Sequence, residues 1–266
     1  MTVLLIGAGR MGSALLKGWL NRGIKSIAVV EPKPSAGLRK LARAKKIALF
    51  AAPSQVQRKP SVCVVAIKPQ VLKGEAPLLA SFAQAGALMI SIAAGTSVEA
   101  MARAWGKRAR IIRAMPNTPG AIGAGITGLY AAKGTTAADK KRAAALLSAL
   151  GQTVWVAKEE LIDSVTAVSG SGPAYLFLMA EALAEAGVAE GLPRGQAEQF
   201  ARATVAGAGA LLAADKSPAS ALREAVTSPG GTTAAALYVL MAEDGLVALM
   251  KRAVQAARKR AEELRG

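Results

Sequence analysis

The stretch Val3-Leu4-Leu5-Ile6-Gly7-Ala8-Gly9-Arg10-Met11-Gly12 decides the fold of this chain. A short apolar run precedes three glycines in the spacing G-x-G-x-x-G, and residues 14–20 have the composition of a helix. A lone motif of this kind is common in ordinary turns. Its strand–turn–helix setting, with another apolar run at 27–30, is typical of a dinucleotide fingerprint, in which the glycines allow a tight turn and close approach of a pyrophosphate. The stretch therefore predicts the first βαβ unit of a Rossmann-type domain.

An acidic residue at the end of the second predicted strand bears on the choice of cofactor. Glu31 stands where a carboxylate would hydrogen-bond the ribose hydroxyls of the adenosine, which favours NADH. Lys33, Ser35 and Arg39 follow closely and could hold a 2′-phosphate, so both NADH and NADPH remain candidates. The cofactor-binding residues predicted in this region are Gly7, Gly9, Arg10, Met11, Gly12, Glu31, Lys33 and Ser35.

The spacing of apolar residues changes once along the chain, from a pattern of strands alternating with helices to a pattern of helices alone. This change predicts two domains. Up to residue 157, short apolar runs alternate with helical stretches such as 97–105 and 137–150, as in a mostly parallel sheet covered by helices. The predicted strands are 3–6, 27–30, 47–50, 62–67, 88–92, 110–114, 126–130 and 153–156. From 158 to 266 the sequence indicates long helices, several of them apolar around much of their circumference. A small domain of such helices needs a partner subunit to bury them. The predicted fold is therefore an α/β Rossmann-type domain, 1–157, followed by an all-α dimerisation domain, 158–266.

Two proline-containing loops follow strands of the predicted sheet. Lys68-Pro69-Gln70 comes after the strand at 62–67, and Met115-Pro116-Asn117-Thr118-Pro119-Gly120 comes after the strand at 110–114. Ligands of open α/β sheets bind at the carboxyl ends of the strands. We expect the amide of Asn117 to face the nicotinamide; the alternative is a rigid turn between two strands.

A second kind of site is predicted in the helical half. Val226-Thr227-Ser228-Pro229-Gly230-Gly231-Thr232-Thr233 brings four hydroxyls and two adjacent glycines to the start of a helix-forming run, Ala234-Ala235-Ala236-Leu237. Free N–H groups at a helix N-terminus without side-chain bulk form an anion site. The segment Ser169-Gly170-Ser171-Gly172-Pro173 leads into a helix in the same way. One chain thus combines a predicted dinucleotide site with a separate site for a small anion.

Composition narrows the class of protein. The chain has 266 residues, a net charge of +17, no histidine and one cysteine, Cys63, which lies in an apolar run and is expected to fill the core. No metal site is expected. The basic residues fall in small groups without interleaved aromatics, so they are interpreted as solvated helix faces and not as a nucleic-acid surface. No apolar run approaches the length of a membrane span, and the first one lacks the features of a signal peptide, so a cytoplasmic protein is expected.

At this point the motifs match a known family. The segments Ala66-Ile67-Lys68-Pro69-Gln70, Ser91-Ile92-Ala93-Ala94-Gly95, Arg113-Ala114-Met115-Pro116-Asn117, Val168-Ser169-Gly170-Ser171-Gly172-Pro173 and the stretch from Val226 to Thr233 together resemble pyrroline-5-carboxylate reductase. The resemblance covers the whole chain in the family's order. It implies reduction of 1-pyrroline-5-carboxylate to L-proline by NADPH or NADH, the final step of proline biosynthesis, in an interlocked dimer that can assemble further into a decamer.

The resemblance also implies site residues. It places the side chain of Thr233 at the ring nitrogen as the catalytic group and adds Ala66, Lys68, Pro69 and Ala93 to the cofactor site. The substrate would be bound by Val226, Thr227, Ser228, Gly230, Gly231 and Thr232. The stretch 217–225 is one residue longer than the usual spacing, and Met241-Ala242-Glu243-Asp244-Gly245 varies a turn of the family, which concerns the assembly surface more than the chemistry.

The absence of histidine fits imine chemistry. Enzymes that reduce a ketone need a group that moves a proton at oxygen, whereas a cyclic imine can arrive protonated and leave as an amine. Two alternatives stay open at this stage. One is a related imine reductase or a 3-hydroxyacid dehydrogenase-like enzyme, although the catalytic lysine usual in the latter is absent from residues 163–175. The other is a non-catalytic dinucleotide sensor or nucleic-acid-binding protein, which the basic charge suggests and the 226–233 loop opposes.

Overall fold

The structure is a computed structural model that describes residues 2–265, and within them the strands form one eight-stranded sheet in the order β3-β2-β1-β4-β5-β6-β7-β8. The strands are β1 (Val3–Ile6), β2 (Ile27–Val30), β3 (Ala48–Phe50), β4 (Val62–Val65), β5 (Leu88–Ser91), β6 (Arg110–Met115), β7 (Gly125–Ala131) and β8 (Gly151–Trp155). All neighbouring pairs are parallel except β6 and β7. The predicted Rossmann-type sheet is confirmed, and each strand lies within two residues of its predicted bounds.

The chain divides into two compact units. The first runs to Gly170 and includes the chain from Ala257 onward, and the second is Ser171–Ala256. The helices before Gly170 are α1 (Arg10–Asn21), α2 (Ala36–Arg43), α3 (Pro69–Glu75), α4 (Ala80–Gln84), α5 (Val98–Trp105), α6 (Ala137–Leu147) and α7 (Leu161–Val165). Those that follow are α8 (Gly172–Ala189), α9 (Arg194–Ala214), α10 (Ala219–Ala225), α11 (Thr232–Leu240) and α12 (Leu246–Leu264). The functional boundary predicted after residue 157 stays a prediction.

The core of the first unit covers both faces of the sheet. Side chains alternate along β1, so that Val3 and Leu5 join one buried cluster while Leu4 and Ile6 join the other. Trp19 of α1 anchors the first cluster, and its indole N–H donates to the carbonyl oxygen of Leu146 at 2.8 Å. Trp105 of α5 anchors the second cluster in the same manner. Both indole N–H groups therefore find partners, as burial of a polar group requires.

Cys63 lies in β4 and is fully buried. Its apolar surroundings raise the pKa of the thiol, because the thiolate would lose its hydration there. The interpretation of Cys63 as a core residue is confirmed.

The second unit buries few side chains within one chain. Among its described residues the buried ones are three alanines, Ala184, Ala197 and Ala201, in the contact between α8 and α9. Large apolar side chains on its helices are exposed, among them Leu176, Phe177, Leu178, Phe200, Leu211, Leu212, Tyr238 and Val239. A helical unit of this size with so small a core lacks the burial that an independent domain needs. In the part of the chain that the structure describes, no helix has the length and hydropathy to cross a bilayer.

An ion pair with a capping function stabilises the start of α6. Asp139 is 1 % exposed, forms a reciprocal capping box with Thr136 and accepts from a guanidinium N–H of Arg110 at 2.7 Å. Burial would raise the pKa of Asp139, but the hydrogen bonds from Thr136 and the charge of Arg110 outweigh it, so the net shift is downward. The ionised carboxylate is therefore the form that stabilises the fold.

We expect Asp139→Asn to lower the free energy of unfolding by about 1–3 kcal/mol at neutral pH, since it removes hydrogen bonds to a buried charge. The loss should be constant at and above neutral pH and shrink as the pH falls through the lowered pKa of Asp139, where the wild-type carboxylate is itself neutralised. Urea unfolding of both proteins at several pH values measures this loss of free energy. The matched control is Glu99→Gln in the exposed pair with Arg103, which should change stability by less than about 0.5 kcal/mol. A deficit at Asp139 that does not depend on pH would contradict the ionic explanation.

Candidate active site

The predicted cofactor residues gather at one edge of the sheet. They follow the carboxyl ends of β1 (Gly7 to Gly12), β2 (Glu31, Lys33, Ser35), β4 (Ala66, Lys68, Pro69), β5 (Ala93) and β6 (Asn117). These five strands are parallel neighbours in the order β2-β1-β4-β5-β6, so their carboxyl ends meet at the same edge. Strand order reverses at β1 and β4, which is where open α/β sheets bind dinucleotides.

Glycine occupies the three positions of the first loop for different physical reasons. Gly7 has a φ of +87°, and a Cβ there would lie 2.9 Å from the carbonyl oxygen of Ala66. A Cβ on Gly12 would lie 2.2 Å from the carbonyl oxygen of Gly7, so α1 packs directly on its own turn. At Gly9, by contrast, a Cβ would meet no protein atom within 4 Å. Protein packing requires the first and third glycines, whereas the open space at Gly9 fits close approach of a pyrophosphate.

The start of α1 offers backbone donors to that space. Gly9 is the N-cap and supplies no side chain, so the first N–H groups of the helix have no capping acceptor from it. The hydroxyl of Ser13 donates to the carbonyl oxygen of Ala8 at 2.6 Å and fixes the turn from behind. Arg10 is exposed, Met11 is half-buried and Gly12 is buried. A loop of this kind suits a phosphate group, and the residues fit a dinucleotide.

Glu31 is held at the mouth of the glycine loop. Its carboxylate accepts from the N–H of Ala8 at 2.9 Å and from the N–H of Lys33 at 3.1 Å. Ser35 is the N-cap of α2 and accepts from the N–H of Leu38, while the guanidinium of Arg39 donates to the carbonyl oxygen of Pro34. The structure thus places a fixed carboxylate beside the glycine loop. Lys33, Ser35 and Arg39 follow this carboxylate within eight residues of the sequence.

The loops after β4 and β5 bring mainly backbone groups to the predicted cofactor site. Lys68 is exposed and caps the start of α3, and Pro69 occupies its first turn, where a missing N–H costs nothing. Ala66 packs against Gly12, with its Cβ 3.4 Å from the position of a Cβ there. Ala93 is 4 % exposed and its N–H donates to the hydroxyl of Ser91 at 3.3 Å.

One half of the Asn117 carboxamide is already hydrogen-bonded within the protein. Its carboxamide oxygen accepts from the N–H of Ile126 at 2.9 Å, which ties the loop after β6 to β7. The amide NH₂ is the half that would address a nicotinamide. Met115, the last residue of β6, packs on Gly170, where a Cβ would lie 2.6 Å from the methionine methyl group. Gly170 ends a single π-helical turn, Thr166–Gly170, and such turns are frequent at functional sites.

The predicted anion loop lies in the second unit, between α10 and α11. Gly230 has a φ of +69°, Gly231 is the N-cap of α11, and the N–H of Gly231 donates to the carbonyl oxygen of Ser228 at 3.0 Å. A Cβ on Gly231 would lie 2.4 Å from the hydroxyl oxygen of Ser228, so this turn requires glycine. No side chain caps α11 at Gly231, so its first N–H groups have no capping acceptor from that residue, which suits the predicted anion site.

The remaining predicted substrate residues differ in their surroundings. Thr233 is half-buried in the first turn of α11, and Thr232 beside it is exposed. The hydroxyl of Thr227 donates to the carbonyl oxygen of Arg223 at 2.6 Å, where it closes α10, and Val226 is exposed. Thr233 thus lies in the first turn of the helix that follows the predicted anion loop.

Sequence reasoning missed a buried ionic cluster next to the cofactor loops. Arg113 of β6 is buried and pairs with Glu159 at 3.0 Å and with Asp163 of α7 at 3.2 Å. The available signal was weak: Arg113 has apolar neighbours on both sides in its strand, but the two acids are more than forty residues away. Elsewhere in residues 2–265, no group of three or more His, Cys, Asp or Glu side chains is arranged to hold a metal ion.

Two family models match the chain. A model described as "Pyrroline-5-carboxylate reductase dimerisation" matches residues 159–264, and one described as "NADP oxidoreductase coenzyme F420-dependent" matches residues 2–95. A curated pyrroline-5-carboxylate reductase from Pseudomonas aeruginosa is 36 % identical over 98 % of this chain and 96 % of its own length. The chain belongs to the pyrroline-5-carboxylate reductase family.

Solved structures of pyrroline-5-carboxylate reductases are similar to this chain over its whole length. That from Coxiella burnetii is 34 % identical and covers 100 % of this chain and 98 % of its own, with a TM-score of 0.92. The structure from Plasmodium falciparum, solved with NADP bound, is 27 % identical and has a TM-score of 0.82. It covers 100 % of this chain and 98 % of its own. The resemblance found in the sequence motifs is confirmed, and so is a helical region of the dimerisation type after the Rossmann-type sheet.

The contrast between Gly9 and Gly12 gives a prediction. Gly9→Ala should leave the free energy of unfolding within about 0.5 kcal/mol of wild type and weaken NAD(P)H binding roughly tenfold or more, because its methyl group enters the space for the pyrophosphate. Gly12→Ala should destabilise the fold by about 1–3 kcal/mol through overpacking. Urea unfolding and cofactor fluorescence titration on both variants measure the difference. Unchanged cofactor affinity in Gly9→Ala would show that the pyrophosphate does not lie there.

Proposed function

We propose that this chain reduces 1-pyrroline-5-carboxylate to L-proline with NAD(P)H, the last step of proline biosynthesis, and that it does so with the residues described above. The observation that carries the proposal is the presence, in one chain of this family, of the Gly7–Gly12 cradle and of the open helix N-terminus at Gly231. The first suits a dinucleotide and the second a small carboxylate.

The substrate carboxylate is bound by the loop before α11. The N–H groups of Thr232 and Thr233 begin the helix, and the helix dipole adds a favourable partial charge there. The hydroxyl groups of Ser228 and Thr232 add donors. A Cβ on Gly230 would meet no protein atom within 4 Å, so this position leaves room for the ligand, while Gly231 allows the tight turn against Ser228. Val226 and Thr227 shape the approach to this loop. Binding the carboxylate fixes the ring, and holding reacting groups in place can supply several kcal/mol of barrier lowering.

Thr233 orients the ring nitrogen. The dinucleotide, when bound, supplies a hydride to the imine carbon, and the electron pair of the C=N bond passes to nitrogen, which ends as an amine. An imine that arrives protonated at nitrogen needs no further proton in this step. The hydroxyl of Thr233 therefore only has to accept a hydrogen bond from the ring N–H, which explains how a chain without histidine can serve this reaction.

Opposing features act at the adenosine ribose. The carboxylate of Glu31, fixed by two N–H donors, favours the ribose hydroxyls of NADH and repels a 2′-phosphate. Lys33 is exposed two residues after it, and Ser35 is the N-cap of α2, so these groups attract the 2′-phosphate of NADPH. The ratio of kcat/KM for the two cofactors measures the balance.

We also propose that the protein works as a homodimer, which can assemble into a decamer, in the cytoplasm. Support for self-association comes from the exposed apolar side chains of α8, α9 and α11, which a second copy would bury. The match to a dimerisation model over residues 159–264 points to the same surface. A single, buried cysteine suits a reducing compartment.

The catalytic role of Thr233 can be tested directly. Purified protein should oxidise NADPH or NADH only when 1-pyrroline-5-carboxylate is present. Thr233→Val, which keeps the shape but lacks the hydroxyl, should lower kcat/KM by about tenfold to a hundredfold, the value of a hydrogen bond to a charged group. Thr233→Ser should retain most of the activity. An absorbance assay at 340 nm measures all three proteins, and equal activity of wild type and Thr233→Val would remove Thr233 from the mechanism.

The dimer makes a further prediction. Phe200→Glu places a charge on an apolar surface that is 60 % exposed in one chain, so the isolated chain tolerates it but a hydrophobic interface does not. We expect dimers and activity to be lost together. Lys216→Glu, in the loop between α9 and α10, is the control and should keep both. Sedimentation velocity and the activity assay are run on the same samples, and a fully active monomer of Phe200→Glu would refute the proposal.

A further inference from the structure

The buried ionic cluster next to the cofactor loops includes a fourth charged group. The Oδ2 atom of Asp163 is buried and lies 3.0 Å from a guanidinium nitrogen of Arg265, in an ion pair without hydrogen-bond geometry. Two arginines, Arg113 and Arg265, thus face two carboxylates, Asp163 and Glu159. The charges balance, which is the condition under which such a cluster is tolerated away from water.

The cluster is connected to the loop after β5. The Oε1 atom of Glu159 accepts from Arg113 and also from the N–H of Val98 at 2.7 Å. Val98 is the first residue of α5, and the loop that leads into it contains Ala93 and Gly95. The carboxylate therefore takes the place of a capping side chain for one of the orphan donors of α5.

The last turn of α12 supports the same loop from the other side. Gly95 has a φ of +66°, and a Cβ there would lie 2.9 Å from the carbonyl oxygen of Leu264. The loop has no room to move toward α12, and Arg265, the next residue, is the one that pairs with Asp163. The ion pair therefore fixes the turn on which Gly95 rests.

The cluster also reaches the loop after β6. Arg113 precedes Met115 by two residues and Asn117 by four, in the strand whose end carries that loop. Both of its carboxylate partners come from the segment 159–163, which leads into the π-helical turn at Thr166–Gly170 that packs on Met115. The two loops expected at the cofactor, those with Ala93 and Asn117, are thus both connected to one cluster of charges.

We propose that Arg265 is a positioning residue for the dinucleotide: through Asp163 and the last turn of α12 it fixes the loops that carry Ala93 and Asn117 and so sets the affinity for NAD(P)H. The proposal rests on the placement of these loops at the cofactor under the proposed function. The side chain of Arg265 is 30 % exposed and makes its contact to Asp163 without a hydrogen bond, while Arg113 keeps Asp163 paired. Its removal leaves Asp163 paired with Arg113 and removes a charge from a site that water partly reaches, so it loosens the loops and lowers the melting temperature by only a few degrees.

The test uses Arg265→Met in the full chain. We expect its dissociation constants for NADPH and NADH to rise about threefold to tenfold, the range seen for residues that couple to a site without touching it. The melting temperature should stay close to that of wild type, and the KM for 1-pyrroline-5-carboxylate should change less than the affinity for the cofactor. Arg265→Lys keeps the charge and should restore most of the binding. Arg260→Met, which removes an exposed partner of Glu263 on the same helix, is the matched control and should change nothing.

A second measurement needs no cofactor. Amide hydrogen exchange of residues 93–98 in the free protein should be faster in Arg265→Met than in wild type or Arg260→Met. Gly95→Ala, which pushes the loop away from Leu264, should raise the dissociation constants in the same direction. Unchanged exchange and unchanged cofactor binding in Arg265→Met would overturn the proposal. If the wild type itself bound neither dinucleotide, the proposed function would fail instead, and the exchange experiment would still decide whether Arg265 fixes the loop.

Discussion

The close approach of β1, α1 and β4 at the glycine turn is the constraint on which the rest of the site depends. The backbone of Gly7 lies against Ala66, and Gly12 lies against Gly7, with no space for a Cβ at either position. The first N–H groups of α1 can therefore face the edge of the sheet at the point where strand order reverses. Every loop that follows β2, β4, β5 and β6 then takes its place around that point, because parallel strands end at the same edge.

Much of the first unit could be predicted from local pattern. Strands β1 and β2 have their predicted bounds because continuous apolar runs ended by glycine or charge are unambiguous when a sheet is buried on both faces. The spacing of the glycines predicted a tight turn, and Gly7 and Gly12 form one without space for a Cβ. The second unit was predictable in its helices and in its need for a partner, since its apolar residues surround the helices instead of forming one stripe.

Other parts of the site depend on contacts between residues far apart in sequence, which no local pattern encodes. Asn117 was predicted to face the nicotinamide, and nothing in its loop indicated that its oxygen is used by Ile126. Nothing in the sequence singled out Glu159 and Asp163, yet both pair with the buried Arg113. The π-helical turn before α8 was likewise not foreseen, because its sequence is typical of a glycine-rich helix start.

Helix α12 begins in the second unit and ends in the first, and this has a consequence for synthesis on the ribosome. Arg113 and the acids that pair with it emerge long before Arg265 does. While the second unit is being translated, the Rossmann-type sheet can form, but Asp163 lacks its second cation and Gly95 lacks the backbone of Leu264 behind it. A first unit that folds before α12 is complete thus lacks both contacts, and the loop with Gly95 acquires its support from Leu264 only when the end of α12 has left the exit tunnel.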